Sequence, residues 1–217
     1  MGNCGCYARA SPQRYEGVEI PISGLGPSYS KSKTLTDDDV KGIMRQIIYS
    51  SHNTKLYDKV ELASKRSKEL KNGITDNYVN LVKQTKDLEN NCFKISEERV
   101  LEGLRVDPKD FKNAKGPINM KNLLEILILE LLRDIKKNKS KLNIDEEKIN
   151  EIREQSEEAY HSSNFKLRAV PETSKKLSDI YDDDLPITYE DVMVADHLYS
   201  KYGLLPIELQ AFLVGEH

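Results

Sequence analysis

Residues 123–132 read Leu-Leu-Glu-Ile-Leu-Ile-Leu-Glu-Leu-Leu, eight large aliphatic side chains with only Glu125 and Glu130 among them. A helix that is apolar on nearly every side is a buried helix. The run is too long and too Leu-rich for a strand at the centre of a sheet, and too short and too charged to span a bilayer. Residues 118–136 are therefore expected to form the central helix of the domain, with the others packed around it.

Upstream, the pattern is helical back to Thr36. Thr36-Asp37-Asp38-Asp39 resembles a capping box with Asp in place of Glu, and its acids suit a helix N-terminus. Val40, Ile43, Met44, Ile47 and Ile48 then recur at i, i+3, i+4, i+7 and i+8, one apolar stripe. Leu56, Val60, Ala63 and Leu70 mark a second, Lys-rich helix that stops at Asn72-Gly73. Ile74, Tyr78, Leu81, Val82 and Leu88 mark a third. A short helix from Ser96 to about Leu104 should end before Pro108, and Cys92, after Asn90-Asn91, should sit at a helix break as a partly buried thiol.

Downstream, residues 142–165 carry a thin stripe, Ile144, Ile149 and Ile152, in a highly charged background. They predict a solvated helix with one narrow contact face. Pro171, Pro186 and Asp182-Asp183-Asp184 predict a loop over 166–187, and helix and loop are both expected at the periphery. The acidic stretch from Asp179 to Glu190 is not an EF-hand: the sixth position is Asp184 instead of Gly, and Pro186 interrupts the loop. Thr188-Tyr189-Glu190-Asp191 caps a further helix striped by Val192, Met193, Ala195, Leu198 and Tyr199, ending at Gly203. Pro206 suits the first position of a last short helix bearing Leu209, Phe212 and Leu213. No alternating strand pattern occurs. The expected fold class is all-α, an irregular helical domain of about six to seven helices over 37–217, behind a flexible N-terminal tail over 1–36.

The tail carries the most specific signal in the chain. After loss of Met1 it begins Gly2-Asn3-Cys4-Gly5-Cys6, with no acidic residue before Glu16. N-myristoylation needs a free N-terminal glycine with small residues behind it, and Cys6 stands where the usual pattern has Ser or Thr. One myristoyl chain holds a bilayer only marginally, at about 10⁴ M⁻¹, so a second acyl chain is needed. Cys4 and Cys6 are placed to receive palmitate once Gly2 carries myristate. Over fewer than ten residues this start resembles the tails of dual-acylated peripheral membrane proteins, and the resemblance implies S-palmitoylation at Cys4 and Cys6. The other reading of Cys-Gly-Cys is a metal or redox element, but a closed zinc site needs four ligands and the nearest histidine is His52.

Residues 7–36 gather Pro12, Pro21, Pro27, Gly17, Gly24 and Gly26, a density of breakers that predicts a tether. Arg9 and Arg14 lie near enough to the acyl chains to add roughly 1 kcal/mol each against an anionic leaflet; an ordinary charged linker is the alternative. Phosphorylation at Ser28, Ser30, Ser32 or Thr34 would cancel the charge of Lys31 and Lys33.

Composition bounds the rest. A net charge of −3 and a pI near 5.9 give no overall footprint for nucleic acid. Three cysteines, two of them within six residues, are no disulfide framework. No phosphate-binding glycine loop, nucleophile elbow or zinc-protease helix occurs. His52, His161, His197 and His217 are scattered, and Asp196-His197 reads as a surface pair. No catalytic residue, metal or cofactor is expected. The expected function is a lipid-anchored adapter or scaffold on the cytosolic face of a membrane. Its partners would be the membrane, through the acyl chains, and one or more proteins. The candidate partner-binding residues are Val40, Ile43, Met44, Ile47, Leu198 and Phe212. The rival is a regulatory subunit, or an enzyme without a local motif, tethered to the same membrane.

Overall fold

The computed structural model describes residues 34–138, 144–168, 170–180 and 187–213. Gly2, Cys4, Cys6, Arg9 and Arg14 lie outside them. Within them the chain is all-helical, with nine helices and no strand: α1 Asp37–Asn53, α2 Leu56–Leu70, α3 Asp76–Leu104, α4 Pro108–Lys115, α5 Met120–Lys137, α6 Glu146–Arg168, α7 Pro171–Ile180, α8 Tyr189–Tyr202 and α9 Pro206–Leu213.

Local chemistry sets most of the boundaries. Asp39 N donates to Thr36 Oγ1 at 3.2 Å while Thr36 N donates to Asp39 Oδ2 at 2.9 Å, a reciprocal capping box at the start of α1. Thr188 and Asp191 repeat it at α8, at 3.2 and 2.7 Å. Gly203 ends α8 at φ +70°, a left-handed backbone that favours glycine. Pro206 opens α9, where its missing N–H costs nothing. The Glu208 carboxylate supplies that end, accepting from Leu205 N at 2.8 Å.

α3 runs unbroken through Asn90-Asn91, so there is no separate helix from Ser96. The asparagines are weak helix formers, not breakers, and packing overrides them: Cys92 is fully buried mid-helix, with Sγ donating to Thr54 O at 3.3 Å. The expected loop over 166–187 contains α7. Pro171 is its first residue and so starts the helix instead of preventing one. Leu177 of α7 is buried with Leu70, Tyr78, Val79, Val82 and Met193 in a small second core. The Asp182–Asp184 run and Pro186 lie outside the described residues. Pro108 both follows the end of α3 and opens α4, where its fixed φ suits the first helical position.

The main core draws on α1, α3, α4, α5, α6, α8 and α9. α6 is no peripheral helix: its thin stripe, Ile149 and Ile152 with Ala159, is buried in that core, and Ile144 joins it from just before the helix. α5 is less central than its composition suggests. Among the described residues it packs mainly on α1 and α9, and Ile126 and Leu129 are 43% and 36% exposed. Six helices close a ring of neighbours, α1–α3–α2–α8–α9–α5 and back to α1. α3 and α5 both lean on α1 yet have little contact with each other. A groove is left between them.

Candidate functional site

The residues expected to bind a partner are core residues. Val40, Ile43, Met44, Ile47, Leu198 and Phe212 are all buried. The 40–48 stripe packs inward and the 192–213 segment is spent on α8 and α9 packing. None of these six offers a docking face, although Ile48, Leu205, Pro206 and Ile207 from the same segments line a groove.

What the ring leaves open is a groove of about 450 Å³ between α3 and α5, inside the roughly 300–1,000 Å³ span of ligand pockets. Its two walls differ in chemistry. Leu124, Ile128 and Leu131 of α5, with Leu205, Pro206 and Ile207 at the start of α9, form an apolar wall. Lys59 and Arg66 of α2, with Thr85, Lys86, Glu89 and Asn90 of α3, form a polar one. Ile48, Ser51 and His52 of α1 close one end, and Ile187 and Phe93 complete the lining. Leu124, Ile207, Ile187 and Phe93 are half-buried, so the apolar wall remains open to a visiting side chain.

The polar wall is held rigid by a buried network. Arg66 Nε donates to Asp196 Oδ1 and Oδ2 at 3.1 and 2.9 Å, and Tyr78 OH donates to Asp196 Oδ2 at 2.9 Å. Arg66 Nη1 donates to Thr85 Oγ1, whose own hydroxyl hydrogen goes to Leu81 O at 2.9 Å. This pins α2, α3 and α8 together directly behind the groove. Burial outweighs the attraction of Arg66 and pushes the Asp196 carboxyl up from its ordinary value. Asp196-His197 is therefore not a surface pair: only His197 faces solvent.

Lys59 and Glu89 face each other across the polar wall. Lys59 Nζ donates to Ser51 O at 2.6 Å and His52 O at 2.8 Å, capping carbonyls at the end of α1. Burial lowers its pKa. Burial likewise raises that of Glu89, against the pull of Arg66, Lys59 and Lys86. Shifted groups in a cleft are a mark of functional sites. Here no nucleophile with a hydrogen-bonded base accompanies them, and the Lys59 contacts are those of a helix cap. Among the described residues no three His, Cys, Asp or Glu side chains converge as a metal site would need, nor is any helix long and apolar enough to cross a membrane.

Tyrosines around this scaffold give it a pH limit. Burial first, then the hydrogen bond to Asp134 at 2.7 Å, pushes the Tyr49 phenol up to about 12. Burial and the Glu208 charge do the same for Tyr199, also to about 12, and its OH donates to Val60 O at 3.2 Å. The unfolded phenol ionises near 10. A raised acid pKa contributes stability that is full below the unfolded value and lost as pH climbs through the folded one. Stability should hold to about pH 10 and fall toward pH 12, with a late phenolate absorbance step accompanying loss of helicity. The Tyr49→Phe/Tyr199→Phe chain should lose less over that interval; an equal loss in both chains refutes the assignment.

The groove was invisible in the sequence because five elements build it from residues as distant as Ile48 and Ile207. One local signal existed. Arg66 falls in register with Ala63 and Leu70 on the buried stripe of α2, and a charge at a core position implies a buried partner. Comparison of the chain with protein-family models, with curated proteins and with solved structures finds no match in any of the three.

Proposed function

We propose that this chain is a lipid-anchored adapter on the cytosolic face of a membrane. Gly2 carries myristate, Cys4 and Cys6 carry palmitate, the residues ahead of Leu35 form the tether, and the helical body takes a protein partner in the α3–α5 groove. The observation that supports the binding half is the pairing of an apolar wall with a charged one. Such a groove accepts a segment whose apolar side chains meet α5 and α9 while its polar groups meet Lys59, Lys86 and Asn90. Anchoring the body to a surface raises its effective concentration toward partners held there. The anchoring half rests on the N-terminal residues alone.

Each half has its own test. Metabolic labelling with myristate and palmitate analogues should mark the wild type, and Gly2→Ala should lose both labels and leave the membrane fraction. Cys4→Ser/Cys6→Ser should keep myristate and bind membranes weakly. A wild type that takes neither label and stays soluble refutes the anchor. For the groove, Leu124→Glu and Ile207→Glu should keep the membrane fraction and the helical circular dichroism while proximity labelling loses a defined set of neighbours. An unchanged set refutes the groove as the docking surface.

A further inference from the structure

Between the acylation sites and α1, the tail holds a cluster that a solvated tether does not need. Val18, Ile20, Ile22 and Leu25 fall within eight residues of a stretch otherwise made of Gly, Pro, Ser and charged groups. Pro21 fixes its own φ and steers Ile20 away from the helical region, so Val18–Ile22 is biased toward extended backbone. Alternation then sets Val18, Ile20 and Ile22 on one side and Glu19 on the other. A short segment with one apolar edge and one acidic edge matches the groove, which has an apolar wall facing a wall that carries Lys59, Lys86 and Arg66. Among the described residues lining it, Glu89 is the sole carboxylate.

Reach is not a constraint. Ile48 and Ser51 lie at the far end of α1, about 17–21 Å from Asp37 by helical rise. Eight residues lie between Leu25 and Thr34, nine steps of chain that span roughly 30 Å when extended. The tail is long enough to double back along α1 and enter the groove from its α1 end.

We propose that residues 18–25 of this chain occupy the α3–α5 groove, with Val18, Ile20 and Ile22 against the α5–α9 wall and Glu19 toward Lys59 and Lys86. The segment is an internal plug. While it is seated the free tether is cut to the residues before Val18, and a partner must displace it to dock, which restores the full length. The inference rests on the groove being a binding surface, as proposed above, and is independent of acylation.

Methyl-resolved NMR of the full chain, with labelled isoleucines, tests it. Expected are nuclear Overhauser contacts between Ile20 or Ile22 and Ile128, Ile187 or Ile207, unchanged on dilution. Ile20→Asp/Ile22→Asp lies outside the helical body, so it should shift the Ile128 and Ile207 methyls while leaving Ile43 and Ile47 in place. Leu124→Asp should release the Ile20 and Ile22 methyls to random-coil positions. The plug is overturned if those two methyls are already at random-coil positions in the wild type. It is equally overturned if the double tail substitution moves no groove methyl, or if mixed labelling shows the contacts to run between two copies. Should the plug fail while Leu124→Glu still loses its neighbours in cells, the groove stands and only this occupant is wrong.

Discussion

Asp196→Ala lowers the stability of the helical body by about 3–5 kcal/mol, the cost of removing one member of a buried ion pair. Arg66 and Asp196 are both essentially inaccessible, and their pairing at 2.9 Å joins α2 to α8 across 130 positions of sequence. The pair is no net source of stability, since burial drives the Asp196 carboxyl toward its neutral form even with Arg66 in contact. The loss comes from what the substitution leaves behind. An Arg66 guanidinium without its carboxylate would sit in a low-dielectric interior, and the Tyr78 hydroxyl would lose its acceptor. In urea the midpoint should fall with the slope unchanged. Replacing both partners with hydrocarbon, Arg66→Met/Asp196→Leu, should recover much of the loss, because neither member of the pair is then left buried without the other, while Glu89 loses the pull of Arg66. A single Asp196→Ala within about 1 kcal/mol of wild type would refute the claim that water is excluded there, that figure being the ceiling for an exposed pair.

The same pair shows where the sequence runs out. Features made by consecutive residues were legible. The capping boxes at Thr36 and Thr188, the stripe of α1, the stop at Gly203 and the start at Pro206 all follow from neighbours within four positions. Features decided by distant neighbours were not. Asn90-Asn91 looks like a break because weak helix formers are adjacent, yet the contact of Cys92 with the α1–α2 joint keeps α3 continuous. Pro171 looks like a loop residue, yet Leu177 six positions later has a pocket beside Tyr78 and Met193, and that burial holds α7 in place.

Apolar periodicity tells which face of a helix is buried and says nothing of what buries it. That is why Val40, Ile43 and Met44 could be read as a docking face while they in fact meet the main core. It is also why the densest apolar run misled. α5 is rich enough in leucine for a central helix, but its main packing is against α1 and α9, and Leu124 and Ile128 face the groove. An excess of apolar residues over available neighbours is itself a sign of a missing occupant, whether the tail segment or a partner.

Phe212→Ala separates core from docking face at the C-terminal end. Phe212 is fully buried on α9 in the cluster that includes Leu127, Ile149 and Leu209. Its carbonyl accepts from Arg153 Nε at 3.2 Å, tying α9 to α6. Truncating a buried Phe removes its transfer free energy and leaves a cavity, together costing about 3–5 kcal/mol. That loss should appear as a lower urea midpoint whether or not any partner is present. Ile207→Ala, five residues earlier on the same helix, should behave oppositely. Ile207 is half-buried on the groove wall, so less of its side chain leaves water on folding and the stability change should be well under half as large. What Ile207→Ala loses instead is the contact with whatever fills the groove, seen as weaker partner labelling with only a small drop in midpoint. If Phe212→Ala unfolds no earlier than wild type, Phe212 is a surface side chain, and the C-terminal segment returns as the place where a partner docks.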